Sequence, residues 1–113
     1  MARVRRAFGK VILEINNGDI REAYGPLLYK IEGNMIRRAY SSLLYKIEGD
    51  TIKEAYGRTL LEVNGKYIRR AFGSNIARIE GDSIYEAYGP KLYEIEGFLS
   101  HNELMALIAI LFA

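Results

Sequence analysis

The sequence predicts a mainly β chain folded as a β-solenoid of six sixteen-residue, two-strand coils with a C-terminal capping α-helix; an antiparallel hairpin meander or barrel is the alternative. Three observations carry this. One sixteen-residue phrase, IREAYGPLLYKIEGNM at Ile20 to Met35, recurs six times in tandem without a gap. Each copy divides into two octads punctuated by glycine, and an unbroken apolar segment follows the last copy.

The copies align at Val4, Ile20, Ile36, Ile52, Ile68 and Ile84. The fourth position is always alanine: Ala7, Ala23, Ala39, Ala55, Ala71 and Ala87. The ninth is Ile12, Leu28, Leu44, Leu60, Ile76 and Leu92, and the twelfth is Ile15, Ile31, Ile47, Val63, Ile79 and Ile95. These four positions are the expected core. Glycine pairs eight residues apart, such as Gly25 with Gly33 and Gly57 with Gly65, mark turns between strands of about five residues. Asn64-Gly65 is the strongest two-residue turn signal among them. Glycine at that interval would interrupt a helix at every second turn, at roughly 1 kcal/mol apiece relative to alanine.

The third position chooses between the two β architectures. It runs Arg6, Glu22, Arg38, Glu54, Arg70, Glu86, a strict alternation of sign. Stacked coils would bring like positions to ~4.8 Å and make an ion ladder, whereas a meander would hold them ~10 Å apart, where solvent screens them. The alternation therefore selects the solenoid. Apolar residues spaced i and i+3 break the period of a flat strand, so each strand needs a bend or bulge, with Arg21, Glu22, Tyr24, Tyr29 and Lys30 turned outward.

After Gly97 the repeat stops. Ser100 and Glu103 have capping-box spacing, and Leu99 and Leu104 fit a hydrophobic staple, which predicts a helix from about His101 to the end. No residue from Leu104 to Ala113 is polar, so this helix is buried on more than one side. It is expected to cover the open end of the last coil, with Leu104, Leu107, Ile108 and Leu111 as cap and subunit contacts. The opposite edge, with Val4, Ala7, Ile12 and Ile15, is expected to stay open and to pair with another copy, giving a homo-oligomer, either a dimer or an end-to-end assembly.

Residues 1–113, half of them apolar, make a single domain, with repeats over 4–97 and the helix over 98–113. A net charge of +2 gives no bulk attraction for nucleic acid, and the lack of cysteine excludes disulfides and thiolate chemistry. Neither a secretory signal nor a membrane span of roughly 20 apolar residues is visible, so a cytoplasmic location is expected.

The inventory for chemistry is thin. His101 is the only histidine and has no nucleophile at a useful spacing. The turns at Gly33, Gly49 and Gly81 lack the dense aspartate pattern of calcium-binding solenoids. No catalytic residue, cofactor or metal is expected, and the protein is not read as an enzyme. Two ladders remain. Arg5, Arg21, Arg37, Lys53 and Arg69 form either a solvated face answered by Glu32, Glu48, Glu80 and Glu96, or a stripe for an anionic polymer such as nucleic acid or an acidic glycan. Phe8, Tyr24, Tyr40, Tyr56, Phe72 and Tyr88, joined by Tyr29, Tyr45 and Tyr93, either pack as a ladder or present an association face. The leading expectation is a non-catalytic structural or interaction protein that self-associates and shows Tyr, Arg and Glu to a protein partner.

These YG-bearing short repeats resemble tandem β-repeat proteins in general, similar in flavour to MORN and YD repeats, and the ending of helix after coils resembles capped β-solenoids. The resemblance spans residues 4–97 and implies a scaffold, binding surface or shell. It transfers no functional residue.

Overall fold

The computed structural model describes all 113 residues. Twelve strands follow one another: β1 (Ala2–Arg6), β2 (Val11–Asn16), β3 (Asp19–Glu22), β4 (Leu27–Glu32), β5 (Met35–Arg38), β6 (Leu43–Glu48), β7 (Thr51–Glu54), β8 (Thr59–Asn64), β9 (Tyr67–Arg70), β10 (Asn75–Glu80), β11 (Ser83–Glu86) and β12 (Lys91–Gly97). One helix, α1 (His101–Phe112), ends the chain. Each strand pairs antiparallel with its sequence neighbour, and β12 pairs antiparallel with β1, so the sheet closes into a barrel. The β-solenoid is thereby overturned in favour of the hairpin alternative, closed.

The turns explain why. Gly33, Gly49, Gly65 and Gly81 have φ between 59° and 63° and each opens a two-residue loop, the geometry whose twist suits antiparallel strands. At the first such loop both residues take positive φ, 51° at Asn17 and 83° at Gly18. Stacked coils would instead need wide corners and parallel neighbours. The expected Asn64-Gly65 turn is displaced by one residue: Asn64 pairs with Tyr67, leaving Gly65-Lys66 as the loop.

The predicted bulge is present in all six long hairpins. In the second, Ile20 faces Tyr29 and Arg21 faces Leu27, which leaves Leu28 unpaired, and the same shift singles out Ile12, Leu44, Leu60, Ile76 and Leu92. The ninth position is therefore the bulge residue, part-buried, and not a full core position. Its carbonyl accepts a hydrogen bond from the constant alanine of the next copy, as in Ala39 N–H to Leu28 at 2.8 Å. The extra residue twists the strand and lets the tenth position face inward.

Position ten was expected outside as Tyr29, but it lines the interior. Leu13, Leu61 and Ala77 are buried there, and Tyr29, Tyr45 and Tyr93 pack against the core. They join the first position, wholly buried in all six copies, and Ile15, Ile47 and Ile95 of the twelfth. No polar or charged residue is buried.

The helix occupies the lumen. Met105 to Ala109 are five consecutive residues with essentially no exposure, and at ~100° of rotation per residue they face every direction around the axis. The expectation of burial on several sides is met, but the helix does not cap a coil: it runs inside the sheet. Leu107 and Ile108, expected at a cap or subunit contact, are enclosed, while Leu104 and Leu111 are part-buried at the two ends. The capping box forms as predicted, Ser100 Oγ accepting from Glu103 N–H at 3.2 Å and Glu103 Oε1 from Ser100 N–H at 3.0 Å. The N-terminal edge expected to be open is covered by β12, with Ala2 facing Gly97 and Val4 facing Ile95.

Candidate functional site

A closed ring of hairpins has two ends. At one lie the tight glycine loops, where the helix enters: His101 Nε2 is 2.9 Å from the Gly49 carbonyl, and Asn102 Nδ2 donates to the Gly33 carbonyl at 3.0 Å. His101 is exposed, with Asp50 Oδ1 at 3.5 Å from Nε2. At the other end lie the six longer turns that follow β1, β3, β5, β7, β9 and β11. The molecule measures 35 × 35 × 18 Å, and a twelve-residue helix is ~18 Å long, so Leu111 and Phe112 reach toward that second end.

The six turns carry the aromatic series Phe8, Tyr24, Tyr40, Tyr56, Phe72 and Tyr88 at their tips. These side chains are 80–99% exposed. Large rings at such exposure bury almost nothing against the fold. Four of them, Phe8, Tyr24, Tyr40 and Phe72, also hold φ of 59–60°, a region that bulky L-residues seldom enter. Tyr88 leans back over the outer wall, where its hydroxyl accepts from Asn75 and its ring lies 5.9 Å from Tyr67.

Inside this outer circle of rings is a circle of charge. Residues opposed across an antiparallel pair share a face. Arg6 opposes Tyr93, Glu22 opposes Leu13, and Arg38, Glu54, Arg70 and Glu86 oppose Tyr29, Tyr45, Leu61 and Ala77. The alternating third position therefore faces the mouth of the lumen, exposed at its edge. The ion ladder expected from stacking is absent, because like positions lie two strands apart. Among the six, only Glu54 has an ion-pair partner, Arg58 on its own turn at 3.7 Å. Shallow grooves separate neighbouring tips; one of about 660 Å³ is lined by Arg6, Lys10, Ile12, Glu22 and Tyr24.

The position-two cations lie on the outer wall and do not stack. Arg21, Arg69 and Arg5 oppose Glu14, Glu62 and Glu94. Arg37 and Lys53 oppose Lys30 and Lys46, and carboxylates of the next position answer them: Arg37 to Glu32 at 3.1 Å and Lys53 to Glu48 at 2.8 Å, with Arg5 on Glu96. The hydrogen bond and charge of Lys53 hold the Glu48 carboxyl below its ordinary pKa. Three of the five cations are thus ion-paired along the wall, while Arg21 and Arg69 face carboxylates across the ladder without closing an ion pair.

Sequence reasoning named the aromatic series but not its place. Nor did it find the mouth ring, whose signal, the sign alternation, was visible and was attached to the wrong architecture. The fold and this end define a class, a closed twelve-stranded antiparallel barrel of six hairpins around an internal helix, with an aromatic-tipped rim. No family model, curated protein or solved structure matches the chain. No helix is long and apolar enough to cross a membrane, and no group of three or more His, Cys, Asp or Glu is placed to hold a metal ion.

Proposed function

We propose that the chain is a non-catalytic interaction module whose contact surface is the aromatic-tipped rim. One observation carries this reading: six large rings stand nearly free in solvent, four of them on backbone that an aromatic residue makes less favourable. Folding gains little from those rings, since an exposed ring buries almost no area. Strained backbone held at an exposed position is a feature that function explains better than packing does. Tyrosine and arginine side by side are also the residues that dominate protein contacts. The ion pairs of Arg5, Arg37 and Lys53 on the outer wall make it a weaker candidate for the same role.

Site-specific photo-crosslinking tests the assignment. A photoreactive residue replacing Tyr56 at a tip should yield adducts in a lysate of the source cells, and the same probe replacing Glu62 on the wall should yield none. Adducts from the wall alone, or from neither position, would defeat the reading.

A further inference from the structure

We propose that the partner of the aromatic rim is a second copy of the chain, joined rim to rim about a two-fold axis whose setting is chosen by the mouth ring of charges. This inference rests on the rim being the contact surface. Its starting point is that Arg6, Glu22, Arg38, Glu54, Arg70 and Glu86 alternate without interruption around a closed circle. The closing step obeys the rule as well, because Arg6 on β1 follows Glu86 on β11 with β12 between them. An odd number of hairpins would have forced two like charges together. Six hairpins do not.

Within one chain the alternation has little to do. Neighbours on the ring are two strands apart, roughly 9–10 Å in a sheet, about one Debye length at physiological salt. None of the six is within ion-pair distance of another, and five have no ion partner at all. A charge pattern that its own chain leaves unused is complementary to one other surface of known design, which is itself turned over. Consider a dyad lying in the plane of the face. If it runs midway between an arginine and the adjacent glutamate, every arginine of one copy stands over a glutamate of the other. If it runs through a residue position, like meets like. The ring thus favours three settings and opposes the three between them, and it does so for all six residues at once. An isologous contact of this kind closes after two copies.

The rest of the face suits the same occupant. A disc 35 Å across presents on the order of 900 Å², comparable with the ~800 Å² that each partner brings to a standard interface. The aromatic tips surround the ring and would exclude water from the charge pairs, which strengthens them. A lipid surface fits less well, because Glu22, Glu54 and Glu86 would face anionic headgroups.

Charge exchange tests the proposal. The acidic-ring variant carries Arg6→Glu, Arg38→Glu and Arg70→Glu; the basic-ring variant carries Glu22→Arg, Glu54→Arg and Glu86→Arg. By sedimentation at roughly 100 µM, tenfold above a weak-dimer Kd of ~10 µM, about four-fifths of the native chain should run as a species of twice 12.9 kDa. Each variant alone should run as a folded monomer by circular dichroism, and an equimolar mixture should recover the dimer. Exchanging all six residues restores the alternation and should restore the homodimer even if a three-site variant folds poorly. A monomeric native chain, a dimeric acidic-ring variant, or a folded but monomeric six-site variant would overturn the dimer, as would a native monomer that floats with phosphatidylserine vesicles. If the native chain is monomeric and the Tyr56 probe still captures other proteins, the rim reading stands and only the dimer falls; capture by neither route removes both.

Discussion

The amide of Ala7 donates to the carbonyl of Leu92 at 2.8 Å, across the seam where the last hairpin meets the first. Five internal seams repeat this bond, from Ala23 to Ile12 through Ala87 to Ile76, at 2.8–3.2 Å. The barrel is closed by the same contact that joins its repeats. Ala7 is the second residue of a turn bonded from Gly9 N–H to Arg6 O, where the backbone suits proline. Ala7→Pro therefore removes the donor with little else, and should cost about 1 kcal/mol. Ala39→Pro, at an internal seam, should cost the same within about 0.5 kcal/mol. Urea denaturation of the two variants checks this; a much milder Ala7→Pro would show an open seam in solution.

A second expectation concerns the rim. Asparagine tolerates the left-handed backbone that Tyr24 and Tyr40 occupy at φ 59–60°, whereas Tyr56 is outside that region. Tyr24→Asn and Tyr40→Asn should each stabilise the fold by roughly 0.5 kcal/mol, and Tyr56→Asn should not. All three should weaken whatever contact the rim makes. Thermal melts beside the crosslinking yield separate the two effects, and equal stability changes at the three sites would contradict the backbone argument.

The period of the repeat, the strand and turn positions, the bulge and the capped helix were legible because each is local: glycine spacing, apolar spacing and a four-residue box write them directly. Closure was not. An uncapped edge at Val4 and an apolar helix at Leu104 to Phe112 each signalled missing partners, yet only long-range pairing shows that β12 covers the first and the lumen the second. The alternation at Arg6 to Glu86 misled for a physical reason. It was assigned a role between stacked neighbours, whereas the pleat that buries the first position turns the third, two residues on, to the mouth. The aromatic series was legible as a series, but exposure is a property of the closed ring.

The pair of Lys53 and Glu48 gives a pH-dependent signature. Glu48 has its carboxyl depressed, first by the hydrogen bond from Lys53 and then by the charge of Lys53. A depressed folded pKa means that the pair's contribution is complete above the ordinary carboxylate range and is lost as pH falls through the lowered value. The pair is exposed, so the effect on stability is small. Carboxyl NMR titration should place the Glu48 midpoint below the ordinary glutamate value, and Lys53→Met should return it toward that value; an unmoved midpoint would show that Lys53 is not the cause.

The lumen makes the firmest energetic prediction. Leu107 and Ile108 are wholly enclosed, and no polar or charged residue is buried in the core around them, so a truncated side chain there leaves an apolar cavity. Leu107→Ala and Ile108→Ala should each cost 2–5 kcal/mol, roughly, as in other tightly packed cores. That is a large share of a stability of about 5–15 kcal/mol. Leu111→Ala, part-buried toward the mouth, should cost clearly less. Gly97→Ala strikes at the other support, because φ is 94° there and a Cβ would meet the Met1 carbonyl where β12 closes on β1. The order of denaturation midpoints is the check. If Leu107→Ala is no costlier than Leu111→Ala, the helix is not held inside the barrel but rests against one of its ends, and the enclosed lumen is wrong.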